Sequence, residues 1–223
     1  MFERVIGLIG EEKFKEIQSK TILIVGLGGV GGYALESLVR SGFQNLILID
    51  HDNVDITNLN RQIITTSKNI GKSKVSVAKE RVLLINPNCQ VTIKDIFLDE
   101  ANIDILDEYQ IDYIVDACDT VKTKKLLIDY SIKNQIDLIS SMGTANKLDP
   151  TKLMITDIRK TSYDPLAKIL RKYVAEKKTN KKVMVVSSIE KPKDNKKLST
   201  MTFVPATAGI LCANYITKKV LED

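Results

Sequence analysis

Apolar residues fall along this chain in two alternating patterns. Short unbroken runs stop at glycines or acids, and longer stretches carry apolar positions three and four apart. Ile22-Leu23-Ile24-Val25 and Leu46-Ile47-Leu48-Ile49 are runs of the first kind, the mark of strands buried on both faces. Residues 91–94, 113–115, 138–139, 152–156 and 182–186 continue the series as strands. Val30, Ala34, Leu35 and Leu38 share one helical face that Gly42 closes. Val75, Ala78, Val82 and Ile85 share another, with Ser73 as cap and Pro87 as stop. Residues 122–134, 165–176 and 205–221 read as further helices, and Pro165 suits a first turn. Strands alternating with helices predict an α/β fold: Rossmann-like, doubly wound and mostly parallel, with a C-terminal α/β extension.

The pattern also divides the chain. Residues 1–20 form an N-terminal arm of one or two short helices, interrupted by Gly7 and Gly10, with Phe14 and Ile17 on an apolar face. The arm is expected to lie on the domain or on a partner subunit. Residues 21–148 form the core and 149–223 the extension of a single domain, with Asp149-Pro150 as its softest internal boundary. Residues 51–62 are too rich in Asn and Asp for a helix interior and read as a loop over a site. Residues 188–199 read as a polar, lysine-rich loop with a disordered composition.

Composition narrows the class. With 223 residues, 43% hydrophobic and 27% charged, the chain is an ordinary globular sequence. No apolar run approaches the roughly 18–20 residues of a membrane span. Met1-Phe2-Glu3-Arg4 does not open a signal peptide, so the cytoplasm is the expected compartment. Cys89, Cys118 and Cys212 are odd in number and far apart, which argues against a disulfide framework and a Cys-x-x-Cys zinc site. The net charge of +5 is uneven, with lysines crowding residues 168–197. A polyanionic partner and a merely solvated lysine face both fit that stretch.

The candidate chemistry gathers at the end of the first strand. Gly26-x-Gly28-x-x-Gly31 joins that strand to a helix, and Asp50 ends the next strand, where a ribose hydroxyl would lie. Glycines let the backbone approach a phosphate, and the helix N-terminus attracts its charge. In a doubly wound sheet the crevice opens where strand order reverses, here between strands one and four. Asp119, just past strand four, then faces the glycine turn. It suits a Mg²⁺ ligand against nucleotide phosphates, and Asp119 or Thr120 equally suits a helix N-cap. Arg61 and Lys74 are the cations nearest in sequence, able to offset charge that builds on phosphates.

Gly26 to Gly31, Asp50-His51-Asp52, Asn58-Leu59-Asn60-Arg61-Gln62, Gly71-Lys72-Ser73-Lys74 and Asp116-Ala117-Cys118-Asp119 resemble the adenylating domain of the ubiquitin-activating-like (ThiF–MoeB–HesA) superfamily. The resemblance implies ATP and Mg²⁺ as cofactors. Gly26, Gly28 and Gly29 would contact ATP, with Asp50 on the ribose and Asp52 beside it. Asn58 and Arg61 would reach the phosphates, Lys74 the α-phosphate region, and Asp119 the metal. Arg4 falls where some relatives supply an arginine from the second subunit of a homodimer.

Ser140-Ser141-Met142-Gly143, residues 146–152, 157–162 and Pro165-Leu166-Ala167-Lys168 resemble one branch, the dehydratases of threonylcarbamoyladenosine in tRNA. That branch implies tRNA as substrate, cyclisation through an acyl-adenylate, and room for a sulfur-transfer protein partner. It gives the lysine-rich stretch a role on the tRNA backbone, and makes Tyr163 and Tyr173 stacking candidates. Asp164 stands where a cysteine is expected in relatives, so no thiol role is assigned. Cys212 reads as a buried structural residue and His51 as a surface or supporting one. Two alternatives stay open: an adenylyltransferase of a Gly-Gly-ending sulfur-carrier protein, and a nucleotide- or NAD-binding sensor without catalysis.

Overall fold

The computed structural model describes residues 1–195 and 197–222; Lys196, within the lysine-rich stretch, lies outside the described residues. Its strands are β1 (Thr21–Val25), β2 (Asn45–Asp50), β3 (Gln90–Asp95), β4 (Tyr113–Asp116), β5 (Asp137–Ser141), β6 (Leu153–Asp157) and β7 (Met184–Ser188). They form one 7-stranded sheet in the order β3-β2-β1-β4-β5-β7-β6. Every neighbouring pair is parallel except β6 with β7. The helices are α1 (Glu3–Ile9), α2 (Glu11–Ser19), α3 (Gly31–Ser41), α4 (Lys74–Ile85), α5 (Val121–Lys133), α6 (Pro165–Glu176) and α7 (Phe203–Glu222). This is the Rossmann-like α/β fold that the alternation predicts. No helix among the described residues is long and apolar enough to cross a membrane.

The unbroken apolar runs follow from burial on both faces. Ile22, Ile24, Leu46 and Leu48 point into a core shared with α3, α4 and α7. Leu23, Val25, Ile47 and Ile49 point the other way, into a core shared with α5 and α6. Each fully buried aliphatic side chain contributes about 1.5–3 kcal/mol. A charge at Ile24 would cost that and its own desolvation as well.

Local differences from the sequence reading have physical causes. Gly7 does not interrupt the arm: it lies inside α1, and Gly10, at φ +82°, makes the break. The arm lies on its own domain through α2, where Phe14 and Ile17 are buried. The strand read at 182–186 starts two residues later. The Lys181 ammonium donates to the carbonyls of Ser131 and Ile136, anchoring the entry to β7. Ser73 holds the N-cap position of α4, but its hydroxyl bonds the Ser76 hydroxyl at 2.8 Å rather than an amide.

Strand order reverses between β1 and β4, whose last residues Val25 and Asp116 are register partners. That reversal opens the crevice. Its far wall comes from α7, which packs backbone to backbone on α3. A Cβ on Gly209 would lie 2.2 Å from the Val30 carbonyl oxygen. Tyr33 and Thr202 join hydroxyls at 3.2 Å beside this contact.

Candidate functional site

The glycines of the first turn divide by what surrounds them. Gly26 takes φ +89°, and a Cβ there would lie 2.8 Å from the backbone of Ala117. On Gly31 a Cβ would meet the Gly26 carbonyl oxygen at 1.8 Å. The chain itself therefore requires both. Gly28 is different: a Cβ would meet only the Gln62 amide nitrogen, at 3.8 Å. The open space over Gly28 belongs to a cleft of about 300 Å³, bounded by the turn, the β2 end, the 58–62 loop and the β4 end. The first turn of α3 presents the positive end of its dipole there, its Gly32 and Ala34 amides bonded to the Gly28 and Val30 carbonyls.

Asp50 is buried at the cleft wall. One carboxylate oxygen accepts the Leu27 amide at 2.6 Å and the other the Asp52 amide at 2.8 Å. It thereby locks the glycine turn to the next loop, a structural task the sequence did not reveal. Backbone bonds from Val54 to Lys72 and from Lys74 to Asp52 then lay that loop along the start of α4. This places the buried Lys74 ammonium 2.6 Å from the Asp52 carboxylate. Burial raises the Asp52 carboxyl, but the hydrogen bond and charge of Lys74 outweigh it and hold it below its ordinary value. His51, exposed, lies 3.3 Å from the other Asp52 oxygen and edge-on to Phe97.

The loop that follows is stiffened by a 3-10 turn at Ile56–Asn58 with a reciprocal capping box from Asp55. The Asn58 side-chain oxygen accepts the Asp55 amide at 3.1 Å, and Asn58 lines the cleft. Arg61 is braced through one nitrogen to the Thr57 carbonyl and the Asn60 side chain. Its side chain passes over Gly29, 3.4 Å from where a Cβ would stand. Asp119 lines the opposite wall, and among the described residues the Thr120 hydroxyl, at 3.4 Å, is its hydrogen-bond partner. Neither Asp119 nor Thr120 caps α5 with its side chain. Asp119 is exposed at the cleft wall.

Gly26, Gly28, Gly29, Asp50, Asp52, Asn58, Arg61, Lys74 and Asp119 all line this one cleft. Arg4 does not: it lies on α1, which buries no residue and forms no part of the cleft wall. The residues fit a polyphosphate nucleotide with a divalent cation. Arg61, Lys74 and the Asp119 carboxylate line the same cleft as the open space over Gly28. The buried Gln62 side-chain oxygen, on the same wall, has no protein partner among the described residues.

Sequence reasoning missed Phe97, Thr144, Thr200 and Pro205, which also line the cleft. Phe97 could have been found, since 96–98 is an apolar run just beyond β3. The others come from distant segments. It also missed the polar network beneath the floor. Lys124 and Asp116 are fully buried and paired at 3.1 Å, with Ser140 and the Ser141 carbonyl completing the set. Burial opposes the Lys124 charge, but Asp116 outweighs it and keeps the ammonium protonated. The Cys118 thiol, in the cleft wall, is pushed well up by burial and then by the Asp116 charge. Burial takes the Cys212 thiol up to about 12. Both thiols are thereby held protonated. Asp164 caps α6 through the Ala167 amide and pairs with buried Lys147 at 2.9 Å, a structural role that needs no thiol. Tyr173 is taken up by Asp129, at 2.6 Å, whereas Tyr163 is exposed.

The sequence matches the family described as the ThiF family over residues 2–223. It is 37% identical over 241 residues to the tRNA threonylcarbamoyladenosine dehydratase of Bacillus subtilis (strain 168), covering 100% of this chain and 95% of that protein. Its fold is similar to the crystal structure of the Escherichia coli tRNA N6-threonylcarbamoyladenosine dehydratase, TcdA, in complex with ATP. The TM-score is 0.93 and the identity 35%, covering 99% of this chain and 93% of that one. The AMP complex of the same protein matches at a TM-score of 0.93, with 35% identity over 98% of this chain and 93% of that one.

Proposed function

The chain belongs to the ThiF family, and from that premise we propose that it is an ATP-dependent tRNA threonylcarbamoyladenosine dehydratase. The observation that carries the reading is the similarity to dehydratases along the whole chain, C-terminal extension included. In this reaction ATP activates the threonyl carboxylate as an acyl-adenylate with release of pyrophosphate. The neighbouring carbamoyl group then closes on that carbonyl and AMP leaves.

The roles of the chain's residues follow from their surroundings. Gly28 leaves room for phosphate, and Asp50, already fixed by two amides, presents its remaining lone pairs to the ribose. Arg61 and Lys74 offset charge that grows on the phosphates during attack. Asp119 would hold Mg²⁺, which supplies further neutralisation. Asn58 donates to a phosphate oxygen. Ring closure is intramolecular, so holding the reacting groups together supplies much of the acceleration. No enzyme nucleophile is needed, in keeping with two thiols held protonated. The finer parts of the reading are a homodimer in which Arg4 reaches the partner's cleft, a tRNA side formed by residues 149–223, and a place in the cytoplasm.

The test is mass spectrometry of tRNA nucleosides after incubation with Mg-ATP. The expected result is loss of one water from threonylcarbamoyladenosine, with AMP and pyrophosphate formed only in its presence. Unchanged nucleoside mass despite tRNA binding overturns the proposal. Pyrophosphate exchange that depends instead on a carrier protein ending in Gly-Gly would assign the chain to the adenylyltransferases.

A further inference from the structure

The lysine-rich stretch is not one surface. β7 runs parallel to β5, so the segment before β7 and the segment after it lie at opposite edges of the sheet. Lys181 bonds the carbonyl of Ile136, the residue before β5. Lys177 pairs with Asp129 on α5. This lysine group therefore sits at the edge where the strands begin, a strand length of about 17 Å from the edge where the cleft opens. The described residues of 189–200, all but Lys196, follow β7 and lie at the cleft edge. Thr200 lines the cleft itself, and the Asn60 side chain donates to its carbonyl at 3.1 Å.

One residue fastens this second segment. Asn146, at φ +59°, donates its amide to the Ser199 carbonyl and accepts the Lys193 amide on its own carbonyl, both at 2.8 Å. Its side-chain oxygen accepts the Ser199 amide at 2.9 Å and the Asn195 side chain at 3.4 Å. Asn146 stands two residues beyond Thr144, on the cleft wall. Glu190 spends its carboxylate on the amides of Leu148 and Asp149. The segment is thus a strap closed on itself at the mouth of the cleft. It carries Lys191, Lys193 and Lys197, all exposed and without a side-chain partner among the described residues.

We propose that this strap is the principal tRNA-backbone contact, with Lys191, Lys193 and Lys197 meeting phosphates beside the nucleotide that enters the cleft. Asn146 is its positioning residue. The inference rests on the dehydratase reading and assigns its substrate a surface. The strap lies beside the cleft through Thr200, whereas Lys177 and Lys181 are held at the opposite end of the strands. Unpaired ammonium groups gain most from phosphate, since no existing ion pair is broken.

The experiment measures binding of tRNA bearing threonylcarbamoyladenosine against salt concentration. The triple variant Lys191→Gln, Lys193→Gln, Lys197→Gln is expected to bind at least about tenfold more weakly at 0.15 M salt. Its log–log salt slope should shrink by about two to three, one phosphate contact per lysine. Mg-ATP binding should be unchanged. The control triple Lys172→Gln, Lys178→Gln, Lys182→Gln should stay within about twofold of the parent. Asn146→Gly keeps the left-handed backbone and removes the side-chain clamp, and is expected to raise KM for tRNA while leaving kcat and ATP affinity alone. A strap triple with the parent's slope, a control triple that loses as much, or an Asn146→Gly variant altered in kcat alone overturns the inference. If the parent binds no such tRNA, the dehydratase reading falls first.

Discussion

Gly28→Ala separates what the ligand requires from what the fold requires. The added methyl would meet only a flexible amide end at 3.8 Å, and Gly28 has no positive φ. The folded chain therefore accepts it without strain, and the unfolded chain loses freedom. That combination stabilises by about 0.4–1 kcal/mol. For a chain of this size the unfolding midpoint should rise by roughly 1–4 °C without ligand. The same methyl fills the space assigned to phosphate. At a nucleotide concentration about a hundred times its Kd, the parent gains about 2.7 kcal/mol of stability from binding. The variant should lose most of that gain. Thermal unfolding with and without Mg-ATP reads both effects, with Gly31→Ala as contrast. Its methyl would sit 1.8 Å from a carbonyl oxygen, so it should lower the midpoint with or without ligand. If ligand-free Gly28→Ala unfolds earlier than the parent, the turn is a packing feature. If its ATP-induced shift is intact, no phosphate lies over Gly28.

Arg61→Ala and Lys74→Ala should each slow turnover by about a hundredfold, or ~2.7 kcal/mol, while the folded circular-dichroism spectrum persists; a near-parental rate in either removes that residue from the chemistry. The Asp52 carboxyl is held below its ordinary 3.8, so the stability of its pair with Lys74 is complete above that pH and lost as pH falls through the lower, folded value. Acid unfolding of the parent should show this loss and that of Lys74→Ala should not. Lys124→Met leaves Asp116 charged and buried and should cost about 3–5 kcal/mol in urea unfolding, with Asp116→Asn added to it recovering most of the loss. Mixing Arg4→Ala with Arg61→Ala subunits should restore part of the activity if Arg4 serves the partner's cleft, and no restoration confines Arg4 to its own arm. Iodoacetamide should label Cys118 and Cys212 far more slowly in the native protein than in urea, given thiols pushed up by burial.

The parts of the fold set by local pattern were legible in the sequence. Pro165 marks the start of α6 because its fixed φ acts within one turn, whereas the cap from Asp164 emerged only in the structure. The glycine turn and the acid at the β2 end announce themselves for the same reason. Burial was not legible. Asp116 and Lys124 are fully buried, and only the assembled sheet shows what covers them. The cleft wall beyond β4 was partly hidden too, since Thr144, Thr200 and Pro205 reach it through long-range packing. The lysine run read as one surface because charge along a sequence carries no direction. Strand β7 turns it into two surfaces facing opposite edges.

The seat of α7 on α3 has a consequence for how the protein is made. Tyr33 and Thr202 are 169 residues apart, and Pro205 from the same helix completes the cleft beside Gly29. A chain emerging from the ribosome exposes β1 and α3 early, since synthesis adds only about 5–20 residues per second. Until residues 203–222 arrive, the N-terminal end of α3 lacks its cover. The complete cleft therefore exists only once residues 203–222 have packed on α3, whatever order the rest of the sheet forms in.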